Sequence, residues 1–115
     1  MSAGYQELFL EQGASFSTTI TVDDVYGDAY DLNEYSAACQ MRKSYYSSNA
    51  TATFTTEVYG GTGSIVLILD STQTSNIAPG RYVYDILIYS NVNTSNNTIR
   101  ILEGIINVTP CVTKI

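Results

Sequence analysis

Histidine is missing from this chain altogether. Its absence removes at once the usual general base, the usual partner of a serine or cysteine nucleophile and the commonest zinc ligand. Basic residues are nearly as scarce: Arg42, Lys43, Arg81, Arg100 and Lys114 stand against 11 acidic residues, for a net charge of −6. Such a surface repels phosphate backbones, so no nucleic-acid partner is expected. Charged residues make up 14% of the chain and hydrophobic ones 44%, which excludes a disordered polyelectrolyte, and no apolar run is long enough for a membrane helix. The opening residues MSAGYQELFLEQ lack a basic segment followed by an apolar stretch. No secretory signal is read there, and folding in the cytoplasm where the chain is made is expected. The two cysteines, Cys39 and Cys111, form no Cys-x-x-Cys pair. One bridge between them is conceivable, but a reducing compartment favours free thiols. The Asn-x-Ser/Thr triplets at Asn49, Asn93, Asn96 and Asn107 read as polar turns and strands on the same ground.

Runs of helix formers are also lacking. In their place Thr, Tyr, Ile and Val recur between clusters of Gly, Asn and Ser, the composition of many short strands. Period-two alternation predicts strands at Tyr5–Glu11 and Ser15–Val22, the second with Phe16, Thr18, Ile20 and Val22 on one face. A third is expected at Tyr35–Lys43, where Tyr35, Ala37, Cys39 and Met41 share the apolar phase and make Cys39 a core residue. Ala52–Tyr59 follows the polar loop Ser44–Asn49, and the glycine-rich turn Gly60–Gly63 leads into Ser64–Leu69, apolar enough for a strand buried on both faces. Ser71–Ile77 is the one stretch suited to a helical turn, capped by Ser71, ended by Pro79 and crossing between sheets. Gly80–Ser90 and Thr98–Thr109 should pair antiparallel around Asn91–Asn97, with Gly104 marking a bulge or a close approach.

Residues 1–115 thus read as a single all-β domain, an immunoglobulin-like two-sheet Greek-key sandwich of seven or eight antiparallel strands. Gly80 and Tyr82 suit a structural role in a tyrosine corner, in which a tyrosine opening the penultimate strand bonds back to the preceding connection.

Residues arranged for chemistry are few. Gly60-Gly61-Thr62-Gly63 lacks the Lys-Ser/Thr and the helix of a phosphate loop and reads as a turn. Asp23, Asp24, Asp28 and Asp31 are the one cluster with metal-ligand potential, for a hard cation such as Ca²⁺, although their spacing departs from an EF-hand and a solvated hairpin end accounts for them as well. Nothing points to a cofactor or a catalytic group. Ten tyrosines are many for this length. Tyr26, Tyr30, Tyr45 and Tyr46 are interface candidates, the alternative being half-buried residues at strand ends.

From Tyr30 onward four segments follow one another in a specific order: Asp31-Leu32-Asn33-Glu34-Tyr35, Gln40-Met41-Arg42-Lys43-Ser44, Pro79-Gly80-Arg81-Tyr82-Val83-Tyr84-Asp85, and Leu102-Glu103-Gly104 with Val108-Thr109-Pro110. Their combination resembles small immunoglobulin-like β-sandwich proteins encoded among the structural genes of tailed phages, including marine T4-like phages. It is similar more loosely to the N-terminal domain of phage baseplate upper proteins. Those proteins carry "DLTGY" leading into a strand, "QMRKS" leaving one, a "PGRYVYD" strand and an "EGxxxVxP" C-terminal strand. Here Asn33-Glu34 stands in place of Thr-Gly, so the turn at that point is expected to differ. The resemblance brings no catalytic residues. It implies a non-enzymatic virion structural protein made in the host cytoplasm, tail- or baseplate-associated, present in several copies and contacting tail, baseplate, neck or capsid proteins, with no membrane partner. A capsid-decorating module, or a Ca²⁺-dependent carbohydrate-binding module built on the four aspartates, are the alternatives.

Overall fold

Alternation governs how this chain buries itself. The computed structural model describes residues 4–22, 32–90 and 98–113, in which strands β1 (Gly4–Tyr5), β2 (Leu8–Glu11), β3 (Phe16–Thr21), β4 (Tyr35–Arg42) and β5 (Ala52–Thr53) come first. They are followed by β6 (Thr55–Tyr59), β7 (Ser64–Leu69), the short helix α1 (Ser71–Ser75), β8 (Gly80–Ser90) and β9 (Thr98–Thr109). Two sheets result. One has six strands in the order β1-β9-β8-β4-β5, with β2 also on β9, and the other three in the order β3-β7-β6. Every second residue of the central strands points between them: Cys39 and Met41, Ile65, Leu67 and Leu69, Tyr82, Tyr84, Ile86 and Ile88 are all buried. Enclosing a large aliphatic side chain of this kind contributes about 1.5–3 kcal/mol relative to exposure.

The N-terminal segment departs from the expected single antiparallel strand. It is broken into β1 and β2, and both run parallel to β9, with Gly4 opposite Leu102 and Leu8 opposite Ile106. Because β3 belongs to the other sheet, no hairpin ties the segment to an antiparallel neighbour, and a parallel pairing is open to it. Gly104 makes the intervening break possible. A Cβ at that position would overlap the Gln6 carbonyl, which instead sits against the bare backbone and accepts the Tyr84 hydroxyl at 2.7 Å. Gly104 is therefore a site of close approach. The bulge lies elsewhere in β9, where Ile86 faces Leu102 and Leu87 faces Arg100, leaving Ile101 as the extra residue. That insertion turns both Ile101 and Leu102 inward and brings Arg100 and Glu103 within 3.3 Å, a spacing that a regular strand would send to opposite faces.

The stretch expected as one strand at Ala52–Tyr59 is also divided. β5 pairs with β4, whereas β6 pairs with β7 in the other sheet, and Phe54 is the pivot. Its N–H donates to the Cys39 carbonyl at 2.9 Å, and its ring enters the core edge-on to Phe16 at 6.0 Å between centroids. Burying that ring between the layers requires the chain to leave one sheet for the other. β7 is buried on one face only. Ile65, Leu67 and Leu69 are enclosed while Val66 and Ile68 stay half-buried, because the three-stranded sheet has nothing packed on its outer side among the described residues.

The crossover is a helix of one turn, and its cap is Asp70 rather than Ser71. The Asp70 carboxylate accepts the Gln73 N–H at 2.8 Å, and the Gln73 side chain accepts the Asp70 N–H at 3.0 Å, a reciprocal box that an aspartate supplies as well as a serine. Asn76 closes the helix before Pro79 is reached. Thr74, fully buried, donates to the Ala14 carbonyl at 2.9 Å, and the Gln12 amide donates to the Ile77 carbonyl at 3.0 Å, so the helix is fastened to the turn between β2 and β3.

Candidate functional site

The segments singled out in the sequence converge on one sheet. Gln40, Met41 and Arg42 of β4 lie opposite Asp85, Tyr84 and Val83 of β8. On the other side of β8, Asp85, Tyr84, Tyr82 and Gly80 lie opposite Glu103, Gly104, Ile106 and Val108 of β9. Three stretches far apart in sequence therefore form adjacent, in-register strands. Gly80 opens β8 with φ 146°, a value that favours glycine, and the Tyr82 hydroxyl donates back to the Ala78 carbonyl at 2.7 Å. The Tyr82 ring lies beneath the Lys43 ammonium, whose Nζ is 4.9 Å from the ring centroid, so the residues just after β4 are held against the start of β8.

Beyond Lys43 the chain makes a tight turn. Ser47 N–H donates to the Ser44 carbonyl at 3.2 Å, and the Arg42 guanidinium donates to the Ser47 carbonyl, also at 3.2 Å. At the tip of that turn Tyr45 is 61% and Tyr46 97% exposed, so both present their rings to solvent. Tyr45 also borders a hollow of about 120 Å³ with Gln40, Arg42, Val83 and Asp85. A hollow of that size is well below the roughly 300–1,000 Å³ of a small-molecule site. A wider, open groove of about 640 Å³ runs between Gln12, α1 and the tail residues Cys111 and Thr113, lined by hydroxyl side chains without a charged or aromatic group.

Tyr26, Tyr30, Asp23, Asp24, Asp28 and Asp31 lie outside the described residues. Among the described residues no three His, Cys, Asp or Glu side chains gather as a metal site would require. Cys39 is buried, and burial, with a smaller contribution from the charge of Asp85, pushes its thiol up to about 12, so it stays protonated and inert at neutral pH. Cys111 is exposed, and both are free thiols. Burial likewise pushes the Tyr84 hydroxyl well above its usual range, consistent with a hydroxyl that serves as a donor to Gln6.

One surface escaped the reading of motifs. The outward residues of the larger sheet include Val83 and Leu87 on β8, Ile105 on β9 and Ala38 on β4, with Phe9 of β2 67% and Tyr89 of β8 42% exposed. Arg42, Arg81 and Arg100 share this face with Asp85 and Glu103, so it carries both signs of charge around apolar strips. The signal was present in Gly80–Ser90, where both phases of the alternation are largely apolar. A strand with one solvated face alternates apolar with polar. The arrangement leaves a broad face, part apolar and part charged, without a covering layer among the described residues, whereas Tyr59, on the smaller sheet, is occupied by its 2.8 Å bond to Glu57. Among known proteins, no family model matches this chain and no curated protein matches it.

Proposed function

We propose that this chain is a non-enzymatic structural protein of a phage virion, a tail- or baseplate-associated assembly or adaptor subunit. The observation that carries the reading is that three of the four segments resembling phage sandwich proteins fall on neighbouring strands β4, β8 and β9 in direct register. A likeness confined to scattered turns would not build one continuous surface. We further read the fold as an immunoglobulin-like Greek key. In support, the order β2-β9-β8-β4-β5 faces β3-β7-β6, a one-turn helix crosses between the sheets, and Tyr82 bonds back to Ala78. The outward face of the larger sheet and the exposed Tyr45-Tyr46 turn suit docking onto tail, baseplate, neck or capsid neighbours in copies set by particle symmetry.

Mass spectrometry of purified particles tests the proposal. The chain is expected among the virion proteins, at constant stoichiometry to tail components, and its absence from purified virions refutes the reading. Its presence on tail-less heads instead would move it to the capsid-decorating class.

A further inference from the structure

The smaller sheet ends on β3, and that edge is less protected than the edges formed by β5, β6 and β2. β5 is only two residues long, β6 carries Glu57, and β2 is bracketed by Glu7 and Glu11. Short edges and charged edges are the usual protection against unwanted pairing. β3 has neither. From Gln12 to Val22 no residue is charged and none is proline, and Thr18, Thr19, Ile20, Thr21 and Val22 are all β-branched.

The register says which backbone groups lie on the open side. Val22 N–H donates to the Gly63 carbonyl at 2.7 Å, so Val22 and Gly63 form a hydrogen-bonded pair continuing the β3–β7 ladder. Hydrogen-bonded pairs alternate along an antiparallel ladder, so Phe16, Thr18 and Ile20 also bond toward β7. Ser17, Thr19 and Thr21 then aim their N–H and C=O groups outward, where no described residue meets them. On the core side of the same edge Phe16 and Thr18 are only half-buried.

We propose that β3 is a homodimer interface, pairing antiparallel with β3 of a second copy about a two-fold axis through Thr19. In that register Thr19 faces Thr19, Ser17 faces Thr21, and the outward groups of both strands satisfy one another in roughly six hydrogen bonds. Phe16 meets Val22 of the partner, and Thr18 meets its Ile20, which covers the half-buried core side of the edge. Charge marks this edge as the place where two copies can meet. The molecule carries −6, so two copies repel overall, and the β3 edge lets them meet through two uncharged segments. The two sheets would join into one continuous sheet across the axis.

Sedimentation velocity on the full chain is the test. Wild type should sediment as a dimer. Thr19→Pro should be monomeric with an unchanged circular-dichroism spectrum, because the N–H it removes is not used inside the monomer and an edge strand tolerates proline. A second measurement covers failure of that variant to fold. Thr19→Cys in a Cys111→Ser background should oxidise to a covalent dimer, since directly opposed residues of such a pair have Cα atoms about 5.5 Å apart, within disulfide range. Ser17→Cys in the same background should not, because it faces Thr21. A monomeric wild type overturns the proposal even if another protein's strand binds the edge, as does a dimer that survives in a folded Thr19→Pro, or crosslinking equally efficient at positions 17 and 19.

Discussion

Replacing Glu34 by glycine should stabilise this protein. Glu34 has φ 65°, the sole non-glycine residue with positive φ among those described, in a turn closed by the Tyr35 N–H donating to the Leu32 carbonyl at 3.0 Å. Positive φ at the third position of a four-residue turn is where glycine is preferred. The left-handed conformation costs an L-residue about 1–2 kcal/mol. Glycine removes that cost and gives back about 0.5–1 kcal/mol through the greater freedom of its unfolded chain. The net expectation is a gain of about 0.5–1 kcal/mol. With an unfolding entropy of about 2.1 cal/mol/K per residue, a chain of 115 residues should then melt about 2–4 °C higher. Glu34→Ala is the control, because it removes the charge and keeps the Cβ, and it should stay within about 0.5 kcal/mol of wild type. Thermal and urea unfolding of the three proteins measure the difference. A glycine variant no more stable than the alanine variant would refute the reasoning. Asn33-Glu34 thus holds a glycine-type conformation without a glycine.

Gly104→Ala should act in the opposite direction. Its Cβ cannot coexist with the Gln6 carbonyl, so the β1–β2 break must shift, at a cost of about 1–3 kcal/mol, and amide exchange should rise first in β2 and the facing part of β9. Protection of these amides unchanged from wild type would contradict the close approach. A pH dependence follows from Cys39, whose thiol is raised from 9.0 to about 12 by burial. The folded state holds that proton more tightly than the unfolded chain, so the stabilisation is fully present below pH 9 and is lost as the pH rises toward 12. Across that window wild type should lose up to about 1.4 kcal/mol per pH unit that Cys39→Ala does not, measured by urea midpoints at successive pH values, and parallel curves for the two proteins would exclude the effect.

Strand existence was legible wherever one phase of the alternation is apolar and the other polar or small. Phe16–Thr21 and Tyr35–Arg42 are of this kind, while Gly80–Ser90 and Thr98–Thr109, with apolar residues in both phases, were legible from their β-branched and aromatic content and have the expected bounds. What could not be read was which sheet a strand joins. Ala52–Tyr59 keeps one phase throughout, yet Phe54 sends its two halves to different sheets, a consequence of core packing that periodicity does not record. The parallel direction of β1 and β2 is hidden in the same way, since it depends on a carbonyl finding room over Gly104. The Ile101 bulge was masked because Ile101 and Leu102 are both apolar and either phase looked satisfied. Of the candidate site, the segments at 40–44 and 79–85 were visible as motifs. Their lateral contact through Lys43 and Tyr82 arises only from the β4–β8 register.

The parallel pairing of β1 and β2 with β9 fixes how the molecule bears load. Gly4 lies beside Leu102 and Glu11 beside Thr109, so the first strand begins at one end of the shared ladder and the last strand finishes at the other. Tension drawing the two ends of the chain apart therefore runs along the strands. It loads the whole β1/β2–β9 ladder in shear, so that its hydrogen bonds must fail together, whereas tension across a hairpin opens one bond at a time. Forced unfolding is governed by the rate of crossing that barrier and not by equilibrium stability alone. A domain of modest size is thereby given resistance to pulling that its core would not supply, with Gly104 and the Gln6 carbonyl holding the clamp in register.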